Sequence, residues 1–326
     1  MATESEPVVP ELDNDPPGMS ARAWLQLFRL PNVFTAMADI FLGYLLVHDS
    51  LEPWWSFLLL LGASCLLYTS GMILNDVFDV AVDRQERPAR PIPSGRIPLS
   101  VALHTGGVML GSGVAFGWAA SALVGEARPG IVATALAVAV LAYDRVLKRT
   151  PVAPLIMGSC RTLNVLLGAS TAAGAWHTIH YIVAAGVGLY ITGVTWFART
   201  EARQSNRMAL AAATVVMAAG LTTLAYFPSA VDDALELAWT PLYALEIGSR
   251  WYVLWGLLGL LILRRPAAAI AEPIPRRVQL AVKECILSLI VIDAVVCYSV
   301  RGVPWAIVIL VLLVPTLVLG RWIYST

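Results

Sequence analysis

Between Asn75 and Arg96 the chain reads Asn-Asp-Val-Phe-Asp-Val-Ala-Val-Asp and then a basic, proline-containing run, the most polar stretch of the sequence. Asp76, Asp79 and Asp83 are spaced by three and then four. On an unbroken helix that spacing sets all three carboxylates on one face. Crowded carboxylates repel one another unless a cation neutralises them. Magnesium suits the task, because it takes oxygen ligands, keeps several waters and is usually completed by substrate phosphates. Behind the acids, Arg84, Arg87, Arg90 and Arg96 supply fork-shaped donors for phosphate oxygens. Carboxylates for a metal beside guanidiniums for phosphate describe a diphosphate site. A solvated loop whose acids pair with its own arginines has the same composition, since loop charges usually face water. The order of the residues, rather than their composition, separates the two.

The elements that must carry this stretch are membrane helices. The chain has 326 residues, 58% of them hydrophobic and only 13% charged, with mean hydropathy +0.72. A soluble domain carries about 25% charged residues, so this chain lacks the material for a water-facing surface. Since roughly 20 apolar residues cross a bilayer as a helix, the sequence predicts spans at 22–47, 55–77, 99–123, 129–147, 152–174, 178–197, 207–227, 249–264, 278–299 and 303–323. The fold class expected is an all-α polytopic bundle of nine to ten transmembrane helices, its central cavity open to the cytoplasmic side. The span at 249–264 is the one in question, because 228–248 mixes acidic and apolar residues.

Charge tests the count independently. With ten spans, 18 of the 22 basic residues fall on one side of the membrane, and only Arg128, Arg250 and Arg301 fall on the other. The positive-inside rule makes the basic side cytoplasmic, with both termini there and a bacterial inner membrane as the expected location. Residues 1–21 are acidic and proline-rich, read as a disordered tail without the basic start or apolar core of a signal peptide. Residues 22–326 form the transmembrane domain. The four cysteines sit singly in apolar runs, which argues for packing rather than for disulfides or zinc. His177 and His180 could share a helical face but have no third ligand nearby. The sequence shows no internal repeat of the kind that marks many transporters.

The motif resembles the first signature of the UbiA superfamily of intramembrane prenyltransferases, Asn-Asp-x-x-Asp-x-x-x-Asp followed by a basic loop. Asn75, Asp76, Asp79 and Asp83 match every signature position, and Arg90-Pro91-Ile92-Pro93-Ser94-Gly95 matches an ending common in that family. The resemblance implies that Asp76, Asp79 and Asp83 hold Mg2+ on a prenyl diphosphate, with Asn75, Arg87 and Arg90 contacting the substrate. Arg29-Leu30-Pro31-Asn32 is similar to the family's first helix, where a polar residue such as Asn32 faces the diphosphate pocket. Tyr143 and Lys148 look like the family's Tyr/Lys pair on the diphosphate, although a tyrosine and a lysine also serve as interfacial anchors. Arg161 lies roughly 14 Å into its span at 1.5 Å per residue, one turn from Asn164. Intramembrane charge tends to mark function, so Arg161 is read as a catalytic residue lining a cavity and Asn164 as substrate-binding beside it, with Asp39 and Asp293 as candidate ion-pair partners of Arg161.

The sequence departs from the family after the sixth span. Where a second motif of the form Asp-x-x-x-Asp is expected, the chain has Arg199, Glu201 and Arg203 and no aspartate. Glu201 is read as a weak metal ligand, and Arg199 and Arg203 as fixed positive charge toward the diphosphate. This divergent motif, with Gly158-Ser159-Cys160-Arg161-Thr162-Leu163-Asn164, is similar to the EboC-like branch of the superfamily.

The resemblance implies Mg2+-dependent transfer of a prenyl group from a prenyl diphosphate to an electron-rich small-molecule acceptor, expected to be aromatic, within the bilayer. No nucleic acid and no obligatory protein partner are expected. The rival reading is a non-catalytic isoprenoid or lipid-phosphate carrier on the same fold. Three metal-ready carboxylates weigh against it, because a carrier has no need of them.

Overall fold

The computed structural model describes residues 20–199, 205–230 and 248–323, and among these every regular element is helical. The main helices are α1 (Ala21–Leu27), α2 (Leu30–Leu45), α3 (Trp54–Phe78), α4 (Val80–Glu86), α5 (Leu99–Val124), α6 (Arg128–Ala142) and α7 (Ala153–Gly168). After them come α8 (Thr178–Ala198), α9 (Arg207–Tyr226), α10 (Ser249–Ala271), α11 (Pro275–Arg301), α12 (Val303–Val311) and α13 (Leu313–Ile323). Helices satisfy their own backbone groups, which is what a bilayer interior demands. Proline occupies the first turn of α2, α6, α7, α11 and α12, where its missing N–H costs nothing.

The long helices close into a ring. α3 packs on α5, α5 on α6, α6 on α7, α7 on α8, α8 on α9, α9 on α10 and α10 on α11; α11 then returns through α2 to α3. α2 also crosses to α7, and α13 lies against α2. The α2–α7 crossing is close because both helices have glycine there. A Cβ on Gly168 would stand 2.7 Å from the Ile40 carbonyl oxygen and 3.0 Å from Gly43 Cα. Small residues at such crossings let membrane helices approach backbone to backbone.

Among the described residues, seven helices are long and apolar enough to cross a membrane: Trp54–Phe78, Leu99–Val124, Arg128–Leu147, Thr178–Ala198, Arg207–Ala230, Ser249–Ala271 and Val303–Trp322. The ten spans read from the sequence are therefore reduced by this measure. The expected span 22–47 is two helices, α1 and α2, parted at Arg29 in the left-handed region (φ 46°, ψ 45°). The cause is Pro31, whose ring would clash with the carbonyl four residues back in a continuous helix. The same rule parts the last span, since Pro315 stands four residues after Val311, where α12 ends. α7 has only 16 residues, and α11 carries Arg276, Arg277, Lys283, Glu284 and Asp293. The expected span 249–264 extends as α10 to Ala271, through Pro266.

Candidate functional site

The three motif aspartates do not share one helical face, as the spacing suggested. α3 ends at Phe78, Asp79 takes φ −92° and ψ 0°, and α4 begins at Val80. The kink separates the acids into two groups. Asp76 and Asp83 converge on one cation: Arg90 Nη1 lies 3.2 Å from Asp76 Oδ1 and 2.6 Å from Asp83 Oδ2. Asp79 turns the other way, its Oδ1 2.7 Å from Lys148 Nζ and 3.6 Å from Arg149 Nη2. Asp76 also receives Arg29 Nη2 at 3.0 Å. The left-handed turn at Arg29, the only non-glycine with positive φ among the described residues, costs about 1–2 kcal/mol and sits where that arginine meets the motif.

Asp76 and Asp83 are buried, while Asp79 is half-buried. The loop after α4 is pinned by Ile92 and Ile97, which pack with Ala23, Leu27, Ile73, Val77 and Ala102. Arg96 ties the loop to itself, Nη2 donating to the Ala89 carbonyl at 2.6 Å. Gly95 makes the turn at φ 77°, a conformation glycine adopts without strain. Of the loop arginines, Arg90 faces the acids, whereas Arg84 and Arg87 are exposed.

A second wall comes from the end of α6, where residues Tyr143–Leu147 form a π-helical turn. Such turns recur at functional sites because they re-aim side chains. This one leads into Lys148 beside Asp79 and buries Asp144, whose Oδ1 accepts from Asn75 Nδ2 at 2.8 Å. Asp144 was passed over in the sequence, although an acid within an apolar span was signal enough. Tyr143 is half-buried in the same turn. Asn32, three residues past Arg29, lies beside Tyr68 of α3.

Arg161 does not stand free in a cavity. Its Nη1 donates to Asp39 Oδ2 and its Nη2 to the Thr35 hydroxyl, each at 2.8 Å, and its guanidinium lies 5.4 Å from the Tyr68 ring centre. Asn164 donates to Asp39 Oδ2 at 2.8 Å and to the Ala36 carbonyl at 2.9 Å, and accepts from Ser64. Both residues are thus held in an interhelical network. Arg199 is exposed and donates to the Pro151 carbonyl at 3.5 Å. Glu201 and Arg203 lie outside the described residues.

The acids suit a hard divalent cation by their chemistry. Carboxylate oxygens are the ligands Mg2+ takes, and two of them already share a single cationic nitrogen, Arg90 Nη1. Among the described residues no three His, Cys, Asp or Glu side chains gather as a closed metal site. The protein carboxylates alone are incomplete, as is usual for Mg2+ bound together with phosphate and water.

A ring of apolar helices, bearing at one end buried acids paired with arginine and lysine, defines a membrane-embedded helical bundle with one charged end. The chain belongs to the UbiA prenyltransferase family, whose profile matches residues 36–282, and it is an integral membrane protein. It is similar to the digeranylgeranylglyceryl phosphate synthase of Sulfolobus acidocaldarius, 39% identical over 84 residues, which are 26% of this chain and 30% of that one. Its likeness to the synthase of the same name from Metallosphaera sedula is 34% over 147 residues, 44% of this chain and 50% of that one. The chain thus spans about a third to a half of the length of these curated relatives. The fold resembles a solved UbiA homolog from Archaeoglobus fulgidus bound to GPP and Mg2+, with TM-score 0.57, 13% identity and coverage of 81% and 98% of the two chains. It also resembles the apo UbiA homolog from Aeropyrum pernix K1, with TM-score 0.59, 18% identity and coverage of 82% and 97%.

Proposed function

We propose that this protein transfers a prenyl group from a prenyl diphosphate to a small-molecule acceptor, with Mg2+ as cofactor. The observation that carries the reading is the meeting of Asp76 and Asp83 at Arg90 Nη1, with Asp79 on Lys148 beside it. Every acid there is neutralised by a long basic side chain that can exchange its carboxylate for a phosphate oxygen. In this reading Asp76, Asp79 and Asp83 hold the metal, and Arg29, Arg90 and Lys148 turn to the diphosphate. Mg2+ supplies charge neutralisation to the departing diphosphate. The surrounding apolar helices exclude water from the electrophilic prenyl carbon.

For the acceptor, the names of the curated relatives favour a hydroxyl-bearing glyceryl phosphate over the aromatic compound expected from the sequence. Membrane placement follows the charge pattern: α2, α7 and α11 cross in addition to the seven long apolar helices, the aspartate end faces the cytoplasm, and both termini lie there. Support comes from the basic residues, 18 of 22 falling on that side when ten crossings are counted. The test is purified protein with Mg2+, a labelled prenyl diphosphate panel and pooled acceptors that include glycerol phosphates and aromatic acids. Acceptor-dependent diphosphate release is expected. Tight prenyl diphosphate binding without release, across the whole panel, would favour a carrier instead.

A further inference from the structure

The centre of the bundle holds ionisable groups that the aspartate site does not use. Asp39 on α2 and Asp293 on α11 are both 0% exposed, and their carboxyl groups face each other within hydrogen-bonding reach. Arg161 faces them from α7, Tyr68 from α3, and Cys297 lies one turn further along α11. The donors that reach the pair all converge on a single oxygen. Arg161 Nη1 and Asn164 Nδ2 both donate to Asp39 Oδ2, at 2.8 Å each. Asp39 Oδ1 and both oxygens of Asp293 have no hydrogen-bond partner.

Two ionised carboxylates and one guanidinium would leave a net negative charge in a dry interior, which is heavily penalised. Facing acceptor oxygens with no hydrogen between them add repulsion. One proton removes both problems. Its place follows from the donors: a guanidinium and an amide both donate to Asp39, whereas no donor reaches either oxygen of Asp293. We propose that Asp39 and Asp293 form a buried proton-binding site, in which Asp293 carries the proton and donates it to Asp39 Oδ1. The resulting group is neutral as a whole and fastens α2, α7 and α11 together, with Arg161 held against Tyr68.

The test uses the full chain in lipid nanodiscs, with Asp293→Asn and Asp39→Asn variants, infrared spectra at pH 8 and thermal melting. The wild-type minus Asp293→Asn difference spectrum is expected to contain the carbonyl band of a protonated carboxylic acid. Asp293→Asn should melt within about 2 °C of wild type, because the amide N–H replaces the acid as donor to Asp39. Asp39→Asn, which removes the carboxylate that Arg161 and Asn164 both donate to, should melt lower by about 5 °C or more. A difference spectrum lacking the band would overturn the proposal, as would an Asp293→Asn loss as large as that of Asp39→Asn. Should Asp39→Asn fail to fold, the spectrum and the Asp293→Asn melting still decide the matter.

Discussion

Asn75 Nδ2 donates to Asp144 Oδ1 across 2.8 Å, so the first residue of the aspartate motif on α3 is fixed by an acid from the π-helical turn after α6. Removing a partner from a buried hydrogen bond costs about 1–3 kcal/mol. Asn75→Ala and Asp144→Ala should therefore each lower kcat/KM for the prenyl diphosphate about tenfold. The double variant should lose little more than the worse single, as expected for two residues acting as one unit. Fully additive losses in a double-mutant cycle would show that the two act separately.

Asp76→Asn and Asp79→Asn should each reduce turnover by about 100-fold or more, the scale of losing a major electrostatic contact, while the protein stays monodisperse. The two differ in one respect. Asp76 meets Arg29 and Arg90, whereas Asp79 meets Lys148, so the first substitution takes a counter-charge from two arginines, with Arg90 still held by Asp83, and the second takes one from the lysine. Near-normal turnover in both variants would remove the metal assignment.

Lys148 and Arg149 both approach Asp79, yet their side chains are 14% and 70% exposed. Exposed pairs contribute about 0–1 kcal/mol, and water already solvates Arg149. Lys148→Met should weaken prenyl diphosphate binding about tenfold, as expected for a charge-assisted contact. Arg149→Met should stay within about twofold. Equal effects in a binding titration would place both cations on the substrate.

Where the chain turns and where it spans were legible in the sequence to different degrees. Apolar runs of membrane length stand out, and the all-α bundle followed from them. Asn75 to Asp83 identified the site because its residue types and spacing are rare in such a chain. What spacing could not show was the kink at Asp79, where ψ near 0° turns one carboxylate toward Lys148 and away from the other two. Nor could it choose between Asp39 and Asp293 as the residue Arg161 donates to, because that depends on how closely α2 and α7 cross. Pro31 and Pro315 were visible as residues, but α10 runs on through Pro266, so a proline alone marks a place where a helix can part rather than one where it must.

Topology is checked with single introduced cysteines. Glu126 stands between α5 and α6, at the opposite end of both helices from the aspartate loop, and Gly95 stands within that loop. An impermeant thiol reagent applied outside intact cells should label Glu126→Cys and leave Gly95→Cys unlabelled, with a cysteine beside Arg321 also protected. The reverse pattern would invert the bundle. The native cysteines are buried or half-buried, so the background is measured on the unsubstituted chain.

The last expectation concerns the segment that follows α8 in sequence, where the chain has Arg199, Glu201 and Arg203 in place of the second acidic motif that the family resemblance implies. If Glu201 assists the metal, Glu201→Gln should raise the Mg2+ concentration for half-maximal rate several-fold. Glutamine keeps the size and one acceptor oxygen but loses the charge a hard cation prefers. If arginine has taken the place of a second ion, the pattern changes: Glu201→Gln does little, and Arg203→Met raises KM for the prenyl diphosphate. Arg199 donates to the Pro151 carbonyl and is exposed, so Arg199→Met should be the milder of the two arginine substitutions. We expect the mixed result, a shifted Mg2+ titration for Glu201→Gln together with a raised KM for Arg203→Met. Three unchanged titrations would reduce this loop to a solvated surface, and the work of a second ion would then fall to Lys148 and Arg29 at the motif itself.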